Sequence, residues 1–475
     1  MKDLNRFYIG GRWVEPAAGA RFADIVNPAT EDVVGRVAMG TSADVDAAVA
    51  AARAAFPAWS CTSVETRAAL LQRVMALYKE RIGALADAIT TEMGAPAWLA
   101  REKQAPAGLG QLHGTLTALQ SFPFVAERGT TQIVREAVGV AALITPWNWP
   151  LNQIAAKVAP ALAAGCTVVL KPSEITPLDA ELFAQILHDA GVPAGVFNML
   201  YGDGAEIGGA LASHRDVDMV SITGSTRAGI DVAMKAAPTV KRVTQELGGK
   251  SPNLILDDAD LKNAVSHCVI SCMINSGQTC IAPTRLLVPK HLHEQAVVIA
   301  AATANALTVG DPMLPDTKVG PISNRRQYER VQQMIQRGID EGATLAAGGL
   351  GRPATLTRGF YARPTVFANV RNDMSIAREE IFGPVLVVIP YASEEEGIDI
   401  ADDTDFGLAA YVSSADAARA RRVAGRLRAG AVMLNGASLD LNAPFGGYKT
   451  SGNGREFGEH GISEFLETKS IAGCV

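Results

Sequence analysis

The feature that most constrains the fold is a regular alternation of apolar runs and helical stretches that begins at Val138. The runs read "VGVAALI", "TVVLK", "VFNML", "DMVSIT" and "VKRVTQEL", and a second series reads "SPNLILDD", "TRLLVPK", "RPTVFANV", "GPVLVVIPYA", "LAAYVSS" and "AVMLN". Helical stretches of about ten to twenty residues separate the runs of the first series. Repeated strand–helix–strand units predict parallel sheets with helices on both faces and ligands at the carboxyl ends of the strands. We therefore predict an α/β protein with two such units side by side.

Two further segments predict extended structure outside these units. Residues 121–137, "SFPFVAERGTTQIVREA", are typical of a β-hairpin, and the tail "EFLETKSIAGCV" is typical of a final strand. Exposed strand edges in such elements favour assembly. A chain of 475 residues is long enough for two or three domains.

Composition excludes several classes of function. The net charge of −6 gives no basic face for nucleic acid, and the arginines of residues 418–428 are typical of a solvated helix face. No apolar run reaches the roughly 18 to 20 residues of a membrane span. Six cysteines scattered through a long chain indicate free thiols and a reducing compartment, so we expect a cytoplasmic protein without a membrane partner.

A metal site at His267, Cys268 and Cys272 is an alternative that the sequence disfavours. The two cysteines lie one turn apart in a segment otherwise filled by apolar residues, and no second paired cluster follows. We interpret them as core cysteines and expect no metal.

The cysteine whose position indicates a function is Cys280, in "NSGQTCIAPTR". It follows Gly277, Gln278 and Thr279 in a polar link between an apolar helical run and an apolar strand. A packing cysteine belongs inside such an element, whereas this position suits a thiol that a reactant can reach.

Two other polar residues follow predicted strands. Asn148 in "ITPWNWP" is held between prolines, which suits an amide donor aimed at a developing oxyanion, although a satisfied turn asparagine fits equally. Glu246 in "TQELGGKSPN" precedes two glycines and suits a general base, although a lone carboxylate proves nothing.

Two strand ends suit a nucleotide. In "VSITGSTRAG", Gly224 and Ser225 lie where a strand ends and a helix begins, a place where backbone N–H groups bind phosphate. In "VVLKPSEITP", Lys171 and Glu174 could meet ribose hydroxyls. A ligand-free turn and a surface lysine with a helix-start glutamate remain the alternatives.

Together and in order, "PWNWP", "KPSE", "TGS", "ELGGKSPN", "GQTC", "EEIFGP" and "PFGGYKTSGNGRE" resemble the NAD(P)-dependent aldehyde dehydrogenase superfamily. The resemblance spans nearly the whole chain. It implies two Rossmann-like parallel-sheet domains, one for coenzyme and one for catalysis, plus a small β oligomerisation element. We assign the coenzyme domain to 1–120 and 138–248, the catalytic domain to 249–450, and the oligomerisation element to 121–137 and 451–475.

The same resemblance implies the catalytic roles. Cys280 matches the nucleophile, the Asn148 amide and the Cys280 backbone N–H match the oxyanion site, and Glu246 matches the residue that activates water for thioester hydrolysis. Lys157 and Glu456 match a proton-relay network. The expected reaction is oxidation of an aldehyde to the carboxylic acid.

The resemblance also implies the cofactor contacts. Glu174 makes NAD the expected cofactor, because a carboxylate there repels a 2′-phosphate, although NADP is possible. The matched positions are Ile144, Pro146, Trp147, Lys171, Ser173, Glu174, Gly224, Ser225, Leu247, Glu380 and Phe382.

The substrate pocket matches positions that are mostly apolar. They are Trp149, Gln153, Ala156, Thr279, Ile281, Ala437, Leu439 and Phe445. Ala156 supplies neither the cation nor the bulk that some relatives carry at that point. We therefore expect a medium or bulky apolar or aryl aldehyde as substrate, and a homodimer or homotetramer as the assembly.

Two rival functions remain at this point. A CoA-acylating aldehyde dehydrogenase would pass its thioester to coenzyme A, but the water-activating Glu246 is superfluous in that chemistry. A non-catalytic binding protein that kept the fold is disfavoured because Asn148, Glu246, Cys280 and Glu380 are all present.

Overall fold

The computed structural model describes residues 2–17, 19 and 21–474. Its helices are α1 (Ser42–Ser60), α2 (Val64–Met93), α3 (Ala97–Leu99), α4 (Ala105–Ser121), α5 (Pro150–Ala164), α6 (Pro177–Asp189), α7 (Gly209–Ser213), α8 (Thr226–Ala236), α9 (Leu261–Met273), α10 (His293–Asn305), α11 (Arg325–Asp340), α12 (Ser375–Arg378), α13 (Glu394–Asp402), α14 (Ala417–Ala424) and α15 (Gly458–Glu464). Short π-helical and 3-10 turns occupy Ala100–Gln104, Gly204–Gly208, Ala237–Thr239, Ile274–Gly277 and Lys290–Leu292.

The strands alternate with these helices along most of the chain. They are β1 (Lys2–Leu4), β2 (Phe7–Ile9), β3 (Arg12–Val14), β4 (Arg21–Val26), β5 (Val33–Met39), β6 (Val125–Arg128), β7 (Thr131–Ala137), β8 (Val140–Ile144), β9 (Thr167–Lys171), β10 (Phe197–Met199), β11 (Met219–Thr223), β12 (Arg242–Glu246), β13 (Pro252–Ile255), β14 (Arg285–Pro289), β15 (Thr344–Ala347), β16 (Thr365–Ala368), β17 (Val385–Tyr391), β18 (Phe406–Gly407), β19 (Ala409–Ser413), β20 (Ala431–Leu434), β21 (Tyr448–Lys449), β22 (Gly452–Asn453) and β23 (Leu466–Ala472).

The first large sheet has the strand order β22-β12-β11-β8-β9-β10-β2-β3. Its central strands β12, β11, β8, β9 and β10 are parallel, and the register pairs Thr223 with Glu246 and Ile144 with Lys171. All four residues therefore lie at one carboxyl edge of the sheet, where ligands bind in folds of this class.

The second large sheet has the order β15-β16-β17-β14-β13-β19-β20, and its strands are parallel except for β15. Separate apolar clusters lie on its two faces, one around Val331 and Phe367 and the other around Val265 and Ala300. Helices cover both large sheets, as the strand–helix alternation requires, and the predicted α/β fold with two parallel-sheet units is confirmed.

A third sheet has the order β23-β7-β6 and is antiparallel. The predicted hairpin in residues 121–137 and the predicted final strand are confirmed by this pairing, in which Leu466 lies opposite Ala137. Residues 452 and 453 lie elsewhere, because β22 pairs antiparallel with β12 at the edge of the first sheet. The domain boundaries stay a prediction.

The described residues include no helix whose length and apolar content would let it cross a membrane.

Candidate active site

Cys280 lies in a loop whose backbone shape is unusual. After α9 ends at Met273, Asn275, Ser276 and Gly277 all have left-handed φ values, of 55°, 57° and 73°. Position 277 requires glycine for two reasons. Its φ is left-handed, and a Cβ there would lie 2.1 Å from the carbonyl oxygen of Gly383. The loop that carries Cys280 is thus packed against the "EEIFGP" segment.

Buried amide side chains hold this loop in place. The Asn275 Nδ2 donates to the carbonyl oxygens of Asn148, at 2.9 Å, and Gln278, at 3.2 Å. The Gln104 amide donates to Asn275 Oδ1 at 2.8 Å, and Gln278 Oε1 accepts from the backbone N–H of Ser323 at 2.9 Å. The Asn275 and Gln278 amides are hydrogen-bonded at both ends, which fixes a single loop geometry and offsets the cost of the left-handed residues.

The Cys280 thiol is partly exposed and lies near two carboxylates. Burial, followed by the negative charges of Glu380 and Glu246, raises the pKa of the thiol to about 12, while the backbone N–H groups of Cys280 and Ile281 lower it. Without a ligand the sulfur is therefore protonated at neutral pH. The same N–H groups lie where they could stabilise negative charge next to the sulfur.

Asn148 is buried at the start of α5 and faces the same loop. Its Nδ2 donates to the carbonyl oxygen of Gln278 at 3.1 Å. An amide nitrogen carries two N–H bonds, so one donor remains for an oxygen bound beside Cys280.

Glu246 ends β12 and is 5% exposed. Burial, and next the negative charge of Glu456, raises the pKa of its carboxyl well above the usual value, against the opposing charges of Lys157 and Arg455. Its Oε2 has no hydrogen-bond partner within the described residues. A buried carboxyl group with raised proton affinity and an unused oxygen suits a general base.

Lys157 and Glu456 form a buried ion pair next to Glu246. The Lys157 Nζ donates to Glu456 Oε1 at 2.6 Å and to the Ser221 hydroxyl at 2.9 Å. Lys157 is 1% exposed and Glu456 is 8% exposed, so the pair depends on its mutual contact rather than on water.

Among the residues matched to the adenosine ribose, Lys171 and Glu174 contact each other. The Lys171 Nζ donates to Glu174 Oε2 at 3.2 Å and to the Pro172 carbonyl at 3.0 Å. Ser173 is buried, and its hydroxyl accepts from the Ile175 N–H at 3.2 Å. Glu174 is partly exposed, with its side chain 33% accessible, so it can meet a ligand from solvent.

The residues matched to the pyrophosphate lie at the start of α8. Ser225 caps this helix, its hydroxyl accepting from Ala228 N–H at 3.3 Å, and Gly224 N–H donates to the Glu246 carbonyl at 3.0 Å. Leu247 is buried, and a Cβ on Gly229 of α8 would lie 2.7 Å from it. The helix start is therefore tied to the end of β12.

The remaining matched cofactor residues lie in two segments, residues 380–382 and residues 144–147. Glu380 Oε1 accepts from the Gly249 N–H at 3.0 Å, and burial raises the Glu380 pKa to about 7. Phe382 has a φ of 56°, and its ring lies edge-on to Trp147 with the centroids 5.5 Å apart. Ile144 at the end of β8 and Pro146 lead into Trp147.

The donor and acceptor set at this edge fits a dinucleotide. The partly exposed carboxylate of Glu174 follows β9, the N-terminus of α8 follows β11, and the Glu380 carboxylate lies beside an aromatic pair near Cys280. Carboxylates accept ribose hydroxyls and a helix N-terminus binds phosphate, so the residues present suit the three parts of NAD.

An apolar cluster surrounds Cys280 and contains only part of the matched substrate pocket. Ala156 and Phe445 belong to its buried part, and Ile281 and Leu439 pack against it together with Cys280. Trp149 is held nearby through its indole N–H, which donates to Thr279 Oγ1 at 3.0 Å. Gln153 is buried on α5, whereas Ala437 is exposed and outside the cluster.

The sequence did not single out Leu408, Leu441 or Phe457, which complete this cluster. Phe457 has a φ of 73° and stacks on Phe445 at a centroid distance of 4.9 Å and an interplanar angle of 16°. It directly follows Glu456, and its unusual φ depends on tertiary contacts that no local pattern reveals.

The alternative metal ligands do not converge on this site. Cys268 and Cys272 are buried in the apolar cluster on one face of the second sheet and donate to the carbonyl oxygens of Pro283 and Val385. Within the part of the chain that the structure describes, no group of three or more histidine, cysteine or acidic side chains could hold a metal ion.

Comparison with known proteins gives consistent results. The family model described as "Aldehyde dehydrogenase family" matches residues 13–471. The chain is 56% identical over 474 residues to a 3-succinoylsemialdehyde-pyridine dehydrogenase of a Pseudomonas species, covering 100% of this chain and 99% of the relative.

Solved structures of similar proteins have the same fold as this chain. A crystal structure of a cysteine-to-alanine mutant of aldehyde dehydrogenase C from Pseudomonas syringae, in complex with NAD+ and octanal, is 56% identical with a TM-score of 0.98, covering 99% of this chain and 97% of that one. The Mycobacterium tuberculosis aldehyde dehydrogenase complexed with NAD+ is 40% identical with a TM-score of 0.97, covering 99% and 98%.

Proposed function

This chain belongs to the aldehyde dehydrogenase family and is an oxidoreductase that acts on aldehydes, and we propose that it converts its aldehyde to the carboxylic acid with NAD, through a thiohemiacetal and a thioester on Cys280. The observation that carries this proposal is the position of the Cys280 thiol, in an ordered loop beside the Asn148 amide and close enough to Glu246 and Glu380 for both charges to change its pKa. Nucleophile, oxyanion donor and base thus lie close to one another.

The first step is attack of the Cys280 sulfur on the aldehyde carbon. Since the thiol is protonated without a ligand, a base must take its proton, and Glu246 is the carboxylate with an unused oxygen. The charge that develops on the aldehyde oxygen would be stabilised by the free N–H of Asn148 and the Cys280 backbone N–H. Each such donor contributes about 3 kcal/mol in comparable sites.

NAD, when bound, supplies the acceptor for the hydride that leaves the tetrahedral carbon. The residues of this chain would hold it in place: Glu174 and Lys171 at the adenosine ribose, Ser225 at the pyrophosphate, and Glu380 at the nicotinamide ribose. Support for NAD comes from the carboxylate at Glu174 and from the NAD+ complexes among the similar structures. NADP use is the less favoured alternative, because Glu174 repels a 2′-phosphate.

The second step is hydrolysis of the thioester. Glu246, after releasing the proton it took from Cys280, would take a proton from water while the water oxygen bonds to the acyl carbon and the sulfur leaves with the electron pair of the C–S bond. Lys157 and Glu456 lie next to Glu246 and would move the proton further.

We propose that the substrate is a medium or bulky apolar or aryl aldehyde. Ala156 adds little volume beside Cys280, and Ile281, Leu439 and Phe445 of the matched pocket pack in the same apolar cluster as Cys280. One similar Pseudomonas protein is named as a 3-succinoylsemialdehyde-pyridine dehydrogenase, and the other is in complex with octanal. Both aldehydes support the same substrate class.

We also propose a homodimer or homotetramer in the cytoplasm, with coenzyme bound by the first sheet and catalysis organised by the second. Support for assembly comes from exposed apolar side chains on the third sheet and on α8, namely Val125, Ile471, Ile230 and Met234. Six free cysteines support a reducing compartment.

The experiment is an aldehyde panel of benzaldehyde, hexanal, octanal and acetaldehyde, run with NAD and with NADP and followed by reduced cofactor. We expect higher kcat/KM for the three larger aldehydes and for NAD. The variant Cys280→Ser should bind cofactor and form no product. Absence of reduced cofactor with every aldehyde would exclude the reaction, and a preference for acetaldehyde would exclude the proposed substrate class.

A further inference from the structure

A small cavity lies beside Glu246, and its lining includes none of the residues matched to the cofactor. It has room for about one water molecule, with a volume of about 10 Å³. Three carboxylates line it, those of Glu246, Glu456 and Glu464, together with Arg455. The other lining residues are Ala156, Ser221, Thr244, Gly461 and Phe465.

Glu464 is the carboxylate of this group that reaches solvent. Glu246 is 5% exposed and Glu456 is 8% exposed, whereas Glu464 is only half-buried at the end of α15. The Lys157 amine is also fully buried and points to Glu456 and the Ser221 hydroxyl. Glu246 and the buried ion pair thus lie on the inner side of the cavity, and Glu464 lies on its solvent side.

The Glu464 side chain is held at the cavity by the backbone. Its Oε1 accepts from the Arg455 N–H at 2.8 Å, and its Oε2 lies 3.3 Å from the place that a Cβ on Gly454 would take. The carbonyl oxygen of Glu464 accepts from the Arg242 guanidinium at 2.9 Å. Arg455 itself donates to the Gly447 and Gly454 carbonyl oxygens rather than to a carboxylate.

The charges around the cavity are unbalanced toward negative. Three carboxylates face two cations, Lys157 and Arg455, and the negative charge of Glu464 is one of the causes that raise the Glu246 pKa, after burial and Glu456. Glu464 and Glu246 are therefore electrostatically linked across the cavity.

We propose that Glu464 is a positioning residue for proton exit: it is the solvent-side carboxylate through which the protons taken up by Glu246, first from the Cys280 thiol and then from water, leave the protein. This inference rests on the proposed function, in which water loses a proton to Glu246, its oxygen bonds to the acyl carbon and the C–S bond breaks. Glu246 already holds the proton of the Cys280 thiol when the thioester has formed, so it must release that proton before it can accept the one from water. A single water in the cavity is enough to pass it from Glu246 to Glu464, which releases it to solvent.

The test uses Glu464→Gln, because glutamine keeps an oxygen for the Arg455 N–H and cannot take up the proton. Enzyme and NAD are mixed with one equivalent of octanal; NADH reports acylation, and the intact mass of the protein reports loss of the acyl group from Cys280. We expect NADH formation at the wild-type rate and hydrolysis about tenfold slower. Raising the concentration of a small buffer base such as imidazole should restore most of the hydrolysis rate.

The pH profile supplies a second readout. Removal of a negative charge near Glu246 lowers the pKa of that carboxyl, so the rising limb of the hydrolysis rate should move to lower pH in Glu464→Gln. The matched control is Glu459→Gln, an exposed carboxylate on the same helix, which should leave both rates and the profile unchanged.

The proposal is overturned if hydrolysis in Glu464→Gln is unchanged, or if it slows and buffer does not restore it, since the residue would then act through structure alone. If the glutamine variant does not fold, Glu464→Asp decides, because it keeps the acid. Hydrolysis at the wild-type rate without added buffer supports the route, whereas slower hydrolysis that buffer does not restore overturns it. Wild-type enzyme that makes no NADH from any aldehyde would instead overturn the proposed function.

Discussion

The indole N–H of Trp149 donates a hydrogen bond to the Thr279 hydroxyl, 3.0 Å away, and so joins the start of α5 to the residue before Cys280. We expect Thr279→Val to release the indole, which then loses a bond of about 1 kcal/mol. The fall in kcat/KM should be about fivefold for benzaldehyde, because 1.4 kcal/mol corresponds to a factor of ten. Thr279→Ser keeps the acceptor and should retain most of the activity; equal losses in the two variants would contradict the role of the hydrogen bond.

Cys280 should react slowly with alkylating agents when no ligand is bound. Because its pKa is raised to about 12, the thiolate fraction increases throughout the range from about pH 6 to pH 10, and the rate of alkylation by iodoacetamide should rise over that range without a plateau. Glu380 carries a charge above its own pKa of about 7. At pH 8, Glu380→Gln should therefore lower the thiol pKa and speed alkylation.

The control for that measurement is Glu379→Gln. Glu379 binds Arg330 and Arg337 and is not among the charges that change the Cys280 pKa. A plateau below pH 10 in the wild type, or equal acceleration in the two variants, would contradict the electrostatic assignment.

Gly277→Ala should destabilise the protein more than a left-handed φ alone requires. The added Cβ would meet the Gly383 carbonyl oxygen at 2.1 Å, in addition to the strain at a φ of 73°. Gly342 is a matched control, since its φ is 85° and a Cβ there meets nothing within 4 Å. We expect Gly342→Ala to cost about 1 to 2 kcal/mol of unfolding free energy and Gly277→Ala clearly more, measured by urea unfolding. Equal costs would show that the contact with Gly383 is easily relaxed.

The Lys157–Glu456 pair gives a double-mutant test. Lys157→Met leaves the buried Glu456 carboxylate without its 2.6 Å partner and should cost about 3 to 5 kcal/mol of unfolding free energy. Adding Glu456→Gln removes the uncompensated charge, so the double variant should be more stable than Lys157→Met alone. Additive losses in urea unfolding would show that the two side chains are not coupled.

The parts of the molecule that local pattern could predict are those whose periodicity matches their structure. The apolar runs from Val138 to Glu246 became β8 to β12, because strands buried on both faces need continuous apolar sequence. The polar link that contains Cys280 could also be predicted, because it separates the helix α9 from the strand β14. The functional roles, by contrast, came from the family resemblance.

What local pattern could not predict depends on contacts between distant segments. The two residues of β22 join the first sheet by pairing with β12, and the Leu247 N–H donates to the Ser451 carbonyl oxygen. Lys171 and Glu174 were each expected at a ribose, and the structure adds that they also bind each other. Phe457 and Glu464 lie in the last twenty residues of the sequence, and no periodic pattern identifies them as part of the site.

The amine of Lys250 is buried, lies close enough to Glu380 for that charge to raise its pKa, and costs folding free energy. It is 1% exposed, its Nζ has no hydrogen-bond partner within the described residues, and burial, followed by the charge of Arg285, lowers its pKa to about 7. A buried donor without a partner costs about 1 to 3 kcal/mol. We therefore expect Lys250→Met to raise the unfolding free energy at pH 7 by about that amount.

The gain should depend on pH in a defined direction. Between the folded pKa of about 7 and the unfolded pKa of about 10.4, the unfolded chain holds a proton that the folded protein does not, so wild-type stability rises with pH. The advantage of Lys250→Met should consequently shrink between pH 7 and about pH 9.5 in urea unfolding. The exposed Lys290→Met is the control and should show no such trend. A variant less stable than wild type at pH 7 would mean that the amine contributes more to the folded protein than its missing partner costs.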